Sequence, residues 1–263
     1  MFYDMHTHSV FSTDSEMSMD VACVAAIENN LKGIAITDHL DVDYVDYPDG
    51  FYYDFNEYFT AIDKMIEKYS GKLDIIKAVE VGLQPHVIDE TINRTSGFNF
   101  DFKIGSTHLI KRKDPYAFQY FTDDSVKYDS YAEYLEEIIK NINLYNDFDC
   151  LGHIDYLIRY SPFEDPKFYY NDFSDYFDEI LRFIIKKDIA LEINTGTYRK
   201  VPFDFNILNR YKELGGKLLT IGSDAHSPDR ISCLFNEYSK AIKDCGFSEL
   251  YYYKNRKPIG YKI

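Results

Sequence analysis

Cysteine is scarce and scattered. Cys23, Cys150, Cys233 and Cys245 show no C-x-x-C spacing, which argues against a disulfide framework and leads us to expect buried free thiols in a reducing compartment. Positive charge is also short: 29 Lys+Arg face 44 Asp+Glu, a formal net charge of -15. Such a surface repels phosphate backbones, so no nucleic-acid partner is expected in a basic groove. Histidine-bound metal ions would still make one cleft locally positive. No stretch approaches the roughly 20 apolar residues of a membrane span. The N-terminal MFYDMHTHS has neither the basic segment nor the apolar run of a signal peptide. A soluble, cytoplasmic protein without a membrane partner is expected. Repeats, low-complexity tracts and Gly/Ser linkers are missing too, so residues 1–263 are expected to form a single domain of barrel size.

What the chain does contain is a 45% hydrophobic share and a recurring strand-then-helix rhythm. Short apolar runs at Phe2–Met5, Gly33–Ile36, Ile75–Val81, Phe102–Ile104, Cys150–Ile154, Ala190–Ile193 and Lys217–Ile221 read as strands. Between them Ser18–Asn30, Asn56–Tyr69, Tyr131–Asn146, Asp172–Lys187 and Asp204–Leu214 have helical period. In the first helix Ser18 is placed as N-cap, and Val21, Val24, Ala25 and Ile27 or Glu28 trace the expected apolar stripe. Seven strands alternating with helices predict a parallel α/β architecture, either doubly wound or a barrel.

The polar residues at the strand ends choose between them. The runs lead in turn into His6 and His8, Asp38 and His39, Glu80, Ser106–His108, His153 and Asp155, Glu192 and Asn194, and Asp224 and His226. In parallel α/β folds the carboxyl ends of the strands share one face, and active sites sit there. Six of the 7 histidines fall at such ends. A closed or nearly closed barrel lets all seven ends converge, so a barrel is expected. His6-Thr-His8 puts two imidazoles on one side of a strand, and Asp224-Ala-His226 pairs a carboxylate with an imidazole in the same way. Glu80 can bridge two ions, while His39, His108 and His153 add single imidazoles. Burying so many ionisable groups without cations would be costly.

The runs MHTHSVFSTD, ITDHLD, VEVG, GSTHLI, GHIDYLIRY, LEINTG and IGSDAHSP resemble the ordered motifs of the PHP (polymerase and histidinol phosphatase) superfamily. The Arg of GHIDYLIRY and that of LEINTGTYRK make the chain similar to its histidinol-phosphate phosphatase branch. The resemblance implies an α/β fold, a distorted (β/α)7 TIM-like barrel with its active site at the C-terminal ends of the strands. It also implies two or three divalent metal ions (Zn, Mn or Fe). Carried over by position, His6, His8, Glu80 and Asp224 hold one ion, Glu80 bridges to a second on His108 and His153, and Asp14, His39 and His226 hold a third. Asp14 stands where some family members have histidine; an Asx-type turn residue is its alternative.

The implied reaction is hydrolysis of L-histidinol phosphate to L-histidinol and phosphate, a step of histidine biosynthesis. Phosphate-monoester hydrolysis is among the slowest uncatalysed reactions. Two ions roughly 3.5–4 Å apart hold a bridging hydroxide for attack on phosphorus. Arg159 and Arg199 are expected to grip the phosphate as permanently charged forks, with surface ion pairs as the alternative. The general acid for the leaving alkoxide is left open among Asp14, His39 and His226. Asp38 and Asp155 are read either as partners orienting ligand histidines or as capping residues, and Glu192 and Asn194 as substrate contacts or rim residues. His86 is expected to be structural or exposed. Asp41, Asp43 and Asp46 are expected in a solvated acidic loop, with attraction of a cationic substrate as the alternative. The tail YYYKNRKPIGYKI is expected to close the barrel base or pack on a helix. Two other functions compete: a phosphoesterase of the same superfamily acting on another small monoester, a nucleotide or a phosphotyrosyl protein, and a non-hydrolytic metal-binding scaffold. The sequence leaves oligomeric state open.

Overall fold

Backbone hydrogen bonds join the two ends of the sheet. The computed structural model describes residues 1–45, 47, 51–117, 119–196 and 201–263. Its strands are β1 (Tyr3–Thr7), β2 (Gly33–Ile36), β3 (His39–Leu40), β4 (Asp74–Gly82), β5 (Phe102–Ser106), β6 (Cys150–Leu151), β7 (Ala190–Asn194) and β8 (Leu219–Gly222). They run parallel in the order β1-β2-β4-β5-β6-β7-β8, with the short β3 paired to β4. Closure follows: Thr7 bridges Ala225, Asp224 N donates to His6 O at 2.8 Å, and His8 N donates to Ala225 O at 2.9 Å. The expected seven-stranded α/β barrel is present.

Helices α1 (Met19–Glu28), α2 (Phe55–Lys68), α3 (Ile88–Thr95), α4 (Lys127–Leu144), α5 (Ser174–Lys186), α6 (Phe205–Glu213) and α7 (Phe235–Asp244) pack around the sheet. The large core unites Tyr58 and Ile62 of α2 and Ile180 and Ile184 of α5 with Ile34, Val79, Leu191 and Ile221 of the strands. Ser18 caps α1 as expected, accepting from Val21 N at 3.2 Å. The apolar stripe expected on that helix is buried only in part. Ala25 is buried and Ile27 partly so, but Val21 and Val24 are 44% and 41% exposed, and the helix buries Met19, Ala22, Cys23 and Ala26 in their place. Both faces are apolar, and the one with small residues can approach the sheet more closely. Helix α7 was not anticipated, whereas α3 begins close to His86, where the sequence reads as a helix start. The four thiols are free, Cys23 and Cys150 buried but Cys233 and Cys245 only partly so. Among the described residues no helix is long and apolar enough to cross a membrane.

The barrel interior carries a second core: Tyr3, Met5, Ala35, Ile76, Ala78, Phe102, Ile104, Cys150 and Ala190, plus Tyr253. Alternation along β4, β5 and β7 then places Glu80, Ser106 and Glu192 on the same face as this layer, nearer the carboxyl ends. Strand β1 departs from plain alternation. Its pairing with β2 runs Tyr3↔Gly33, Asp4↔Ile34 and Thr7↔Ile36, a register shift between Asp4 and Thr7. A bulge there re-aims the strand, so that Met5 packs in the inner core while the adjacent His6 reaches Glu80 at 3.3 Å.

The C-terminal tail is a hairpin, β9 (Glu249–Lys254) and β10 (Lys257–Lys262). Tyr253 enters the inner core and Tyr252 stacks on Tyr3 with ring centroids 4.0 Å apart, so the tail closes the barrel base. At its turn the Arg256 guanidinium pairs with buried Asp149, whose carboxylate also accepts from Lys103 N at 2.8 Å. Burial raises the Asp149 carboxyl to about 6 despite the opposing arginine. A carboxyl raised in the folded state is harder to ionise there than in the unfolded chain. Stability therefore falls as pH rises through the window from about 4 to about 6. We predict that Arg256→Gln lowers the urea midpoint more at pH 8, where Asp149 is ionised, than at pH 5, where it is largely protonated. Equal losses at the two pH values would refute the pairing as the cause.

Candidate metal centre

Glu80 stands at the middle of the site. It is fully buried, and β4 carries it between β3 and β5 in the register His39↔Glu80↔Ile104. Its Oε1 lies 2.9 Å from His153 Nε2 and 3.2 Å from His108 Nε2. Its Oε2 lies 2.8 Å from His39 Nδ1, 3.3 Å from His6 Nε2 and 3.6 Å from His8 Nε2. Asp224 Oδ1 adds contacts of 3.1 Å to His8 Nε2 and 3.6 Å to His6 Nε2. Asp14 Oδ2, at the mouth, sits 3.2 Å from His226 Nε2 and 3.6 Å from His39 Nε2. All nine side chains expected as ligands thus meet in one place.

Four of the six imidazoles have Nδ1 anchored, which turns Nε2 inward. His6 Nδ1 donates to Glu192 Oε1 at 2.7 Å, and His108 Nδ1 to Asp41 Oδ1 at 2.9 Å. His226 Nδ1 donates to Asp224 O at 3.0 Å. His8 Nδ1 faces Ser12 Oγ at 3.1 Å, and that hydroxyl donates to Asp38 Oδ1 at 2.8 Å. Asp38 also accepts from Ser9 N, Ser9 Oγ and Ser12 N, so it orients His8 through the loop it holds. Asp155 lies beside Arg159, and burial raises its carboxyl to about 6. Glu192 orients His6, and its Oε2 accepts from His153 N at 2.6 Å.

The inward atoms suit cations better than one another. His6 Nε2, His8 Nε2, His39 Nδ1, His226 Nε2 and Glu80 Oε2 are buried and make no well-directed hydrogen bond, although oppositely charged partners lie within 3.6 Å. They point at shared spaces, as a ligand shell does. Four ligand triads have atoms within 4.8 Å of one another: His6/His8/Glu80, His6/His153/Asp224, His39/Glu80/His108 and His8/His39/His226. The mixed imidazole–carboxylate chemistry fits Zn, Mn or Fe. Electrostatics agree. Burial opposes charge on Glu80, yet the surrounding imidazoles hold its carboxyl well below the usual range. Burial likewise opposes charge on His6, but Glu192, Glu80 and Asp224 hold it well above its ordinary value. His8 is pushed down by burial and by its imidazole neighbours.

Arg159, on the turn after β6, completes one wall. Its Nη2 lies 2.6 Å from Asp224 Oδ2 and donates to Asn194 Oδ1 at 2.9 Å, with Asp224 raising its already high pKa against burial. Asn194 Nδ2 in turn donates to Glu192 Oε2 and Asp224 Oδ2, so Asn194 ties three charged groups together. Arg199 and Asp46 lie outside the described residues. His86 pairs with Asp43 at 2.8 Å, away from the centre and partly exposed as expected. Asp43 also meets Arg112 at 2.9 Å. Asp41 corrects the expectation of a solvated loop: it is buried and holds His108. Gly82 makes room for it: a Cβ there would lie 1.7 Å from Asp41 Oδ1.

The centre floors a cavity of about 470 Å³. We predict that Gly82→Ala, by displacing Asp41 and freeing the His108 ring, weakens divalent-metal retention about 10–100-fold with little loss of secondary structure. Elemental analysis after dialysis checks this, and unchanged stoichiometry would discard Asp41 as an orienting residue.

The comparisons agree with this geometry. The PHP domain model matches residues 4–196. A protein of Clostridium acetobutylicum named a probable histidinol-phosphatase is 34% identical over 97% of this chain and 98% of its own. The histidinol-phosphatase of Lactococcus lactis is 32% identical over 97% and 98%. A crystal structure of the Lactococcus lactis histidinol phosphate phosphatase, complexed with zinc, L-histidinol and phosphate, matches with a TM-score of 0.91 at 30% identity, covering 98% of each chain. A Listeria monocytogenes structure at 20% identity shares the fold, with a TM-score of 0.75 over 90% of this chain and 99% of its own. Matched along most of its length by the family model and nearly end to end by these relatives, the chain belongs to the PHP domain family.

Proposed function

We propose that this chain is a metal-dependent phosphatase that hydrolyses L-histidinol phosphate to L-histidinol and phosphate. One observation carries the reading: donor atoms of His6, His8, His39, Glu80 and His226 that make no well-directed hydrogen bond converge beneath a cavity that Arg159 also lines. The full-length likeness to a relative complexed with zinc, L-histidinol and phosphate supports it. Residues 1–263 serve as one domain, and the substrate is its small-molecule partner.

Two or three divalent ions, Zn, Mn or Fe, would be held by the nine residues. His6, His8, Glu80 and Asp224 form one set; Glu80 is shared with His108 and His153; Asp14, His39 and His226 form the third. When bound, such ions neutralise phosphoryl oxygens as Lewis acids and make water acidic enough to act as a nucleophile near neutral pH. The protein does the rest. Arg159 supplies a fixed positive charge for the spreading charge of the phosphoryl group, and Asp224 and Asn194 hold its guanidinium in place. Glu192, Asp41 and the Ser12–Asp38 pair fix His6, His108 and His8, so the site needs little reorganisation. The leaving alkoxide would take its proton at the group formed by Asp14, His39 and His226, directly or through a water held there, where one carboxylate spans two imidazoles at the cavity mouth.

The test is phosphate release from histidinol phosphate beside a panel of unrelated monoesters, with elemental analysis of the same preparation. We predict that His8→Ala and Asp224→Ala each abolish release while circular dichroism stays near wild type. Wild-type rates after metal saturation would remove those residues from the centre. Arg159→Lys should lower kcat/KM by more than tenfold, because an ammonium cannot reproduce the fork.

A further inference from the structure

Where the sheet closes, β1 and β8 are joined by the Thr7–Ala225 bridge and by the bonds of Asp224 N to His6 O and of His8 N to Ala225 O. A side chain extends this seam. Asp4 is wholly buried and stands two residues before His6 on β1. Its Oδ1 accepts from Ser223 N, just past β8, at 2.9 Å and from His6 N at 3.4 Å. Its Oδ2 accepts from Ser232 N, in the turn before α7, at 3.0 Å. Three N–H groups converge on it, so an acceptor-only carboxylate fits where an amide would aim its own N–H at one of them.

The backbone that Asp4 holds is unusual on both sides. Ser232 has a φ of 58°, and Ser223 leads directly into Asp224, whose φ is 54°. This left-handed region is uncommon for residues other than glycine and persists where the surroundings over-determine it. On β1 the bond from His6 N spans the segment in which the pairing with β2 changes register. The two departures from regular strand geometry therefore share one carboxylate, and each delivers a side chain to the centre. His6 Nε2 and Asp224 Oδ1 end 3.6 Å apart.

We infer that Asp4 is a positioning residue for the metal centre: by holding the amides of His6 and Ser223 it sets the spacing between His6 and Asp224, without being a ligand itself. This rests on the metal-binding reading above. The consequence is local. The ion assigned to His6, His8, Glu80 and Asp224 depends on Asp4. Among the described residues the amides Asp4 holds are those of His6, Ser223 and Ser232, and none of these belongs to the set His39, Glu80 and His108, whose ligand atoms also lie within 4.8 Å of one another.

The experiment dialyses zinc-loaded wild type and Asp4→Asn against a graded series of chelator. Elemental analysis gives zinc per chain, and circular dichroism follows the fold of the same samples. We expect Asp4→Asn to give up one zinc per chain at a chelator concentration at least tenfold below that needed by wild type, and to retain the remainder as wild type does. A merely structural role would release every ion together, in step with loss of helical signal. That outcome, or wild-type zinc retention in folded Asp4→Asn, would overturn the inference. If Asp4→Asn does not fold, Asp4→Ser, which is smaller and keeps an acceptor oxygen, carries the same comparison. No substrate is present, so the phosphatase reading is tested apart from this one: a wild type that holds zinc but releases no phosphate defeats that reading and leaves the role of Asp4 standing. A wild type that holds no zinc defeats the metal centre and this inference with it.

Discussion

A single wholly buried carboxylate sets the terms for the structure. Glu80 lies within 3.6 Å of five imidazoles, and an ion taken that far from water has to be surrounded by compensating charge. The barrel meets this demand with geometry. Parallel strands whose carboxyl ends converge are the arrangement that brings side chains from residues 6 to 153 to one carboxylate. The helices outside the sheet bury its outer face and leave the inner rim free for polar groups. Apolar packing lower in the barrel, from Met5 to Tyr253, gives those groups a rigid floor.

Four of the six imidazoles are secured from behind, each by a partner on its other ring nitrogen. Glu192, Asp41, Ser12 with Asp38, and the Asp224 carbonyl each hold one imidazole. Asn194 couples two of these groups to Arg159. Fixing the rings before anything binds lowers the cost of organising them later. It also means that charge and position cannot be changed separately at this centre.

Much of this was legible in the chain itself. Strand-end histidines at His6, His8, His39, His108, His153 and His226 announced both the barrel and the convergence, because a parallel sheet leaves few other destinations for them. The β1 register shift was hidden, since a bulge depends on the neighbouring strand and not on local composition. The orientation of α1 was misread because both its faces are apolar and packing distance, absent from a one-dimensional pattern, decides between them. Asp41 looked like one acid among several in a polar loop; only the fold brings it against Gly82 and His108.

Barrel closure through Asp224 N and His6 O has a consequence for how the molecule matures. The chain emerges from synthesis N-terminus first, so the His6–His8 pair waits, unclosed, until more than two hundred further residues have been made. Until β8 docks beside β1 the pocket has a missing side, and cations have only part of their cage. The full cage therefore exists only once β8 is in place, and a fragment truncated before residue 224 retains most of the imidazoles yet lacks the wall that makes them a receptacle.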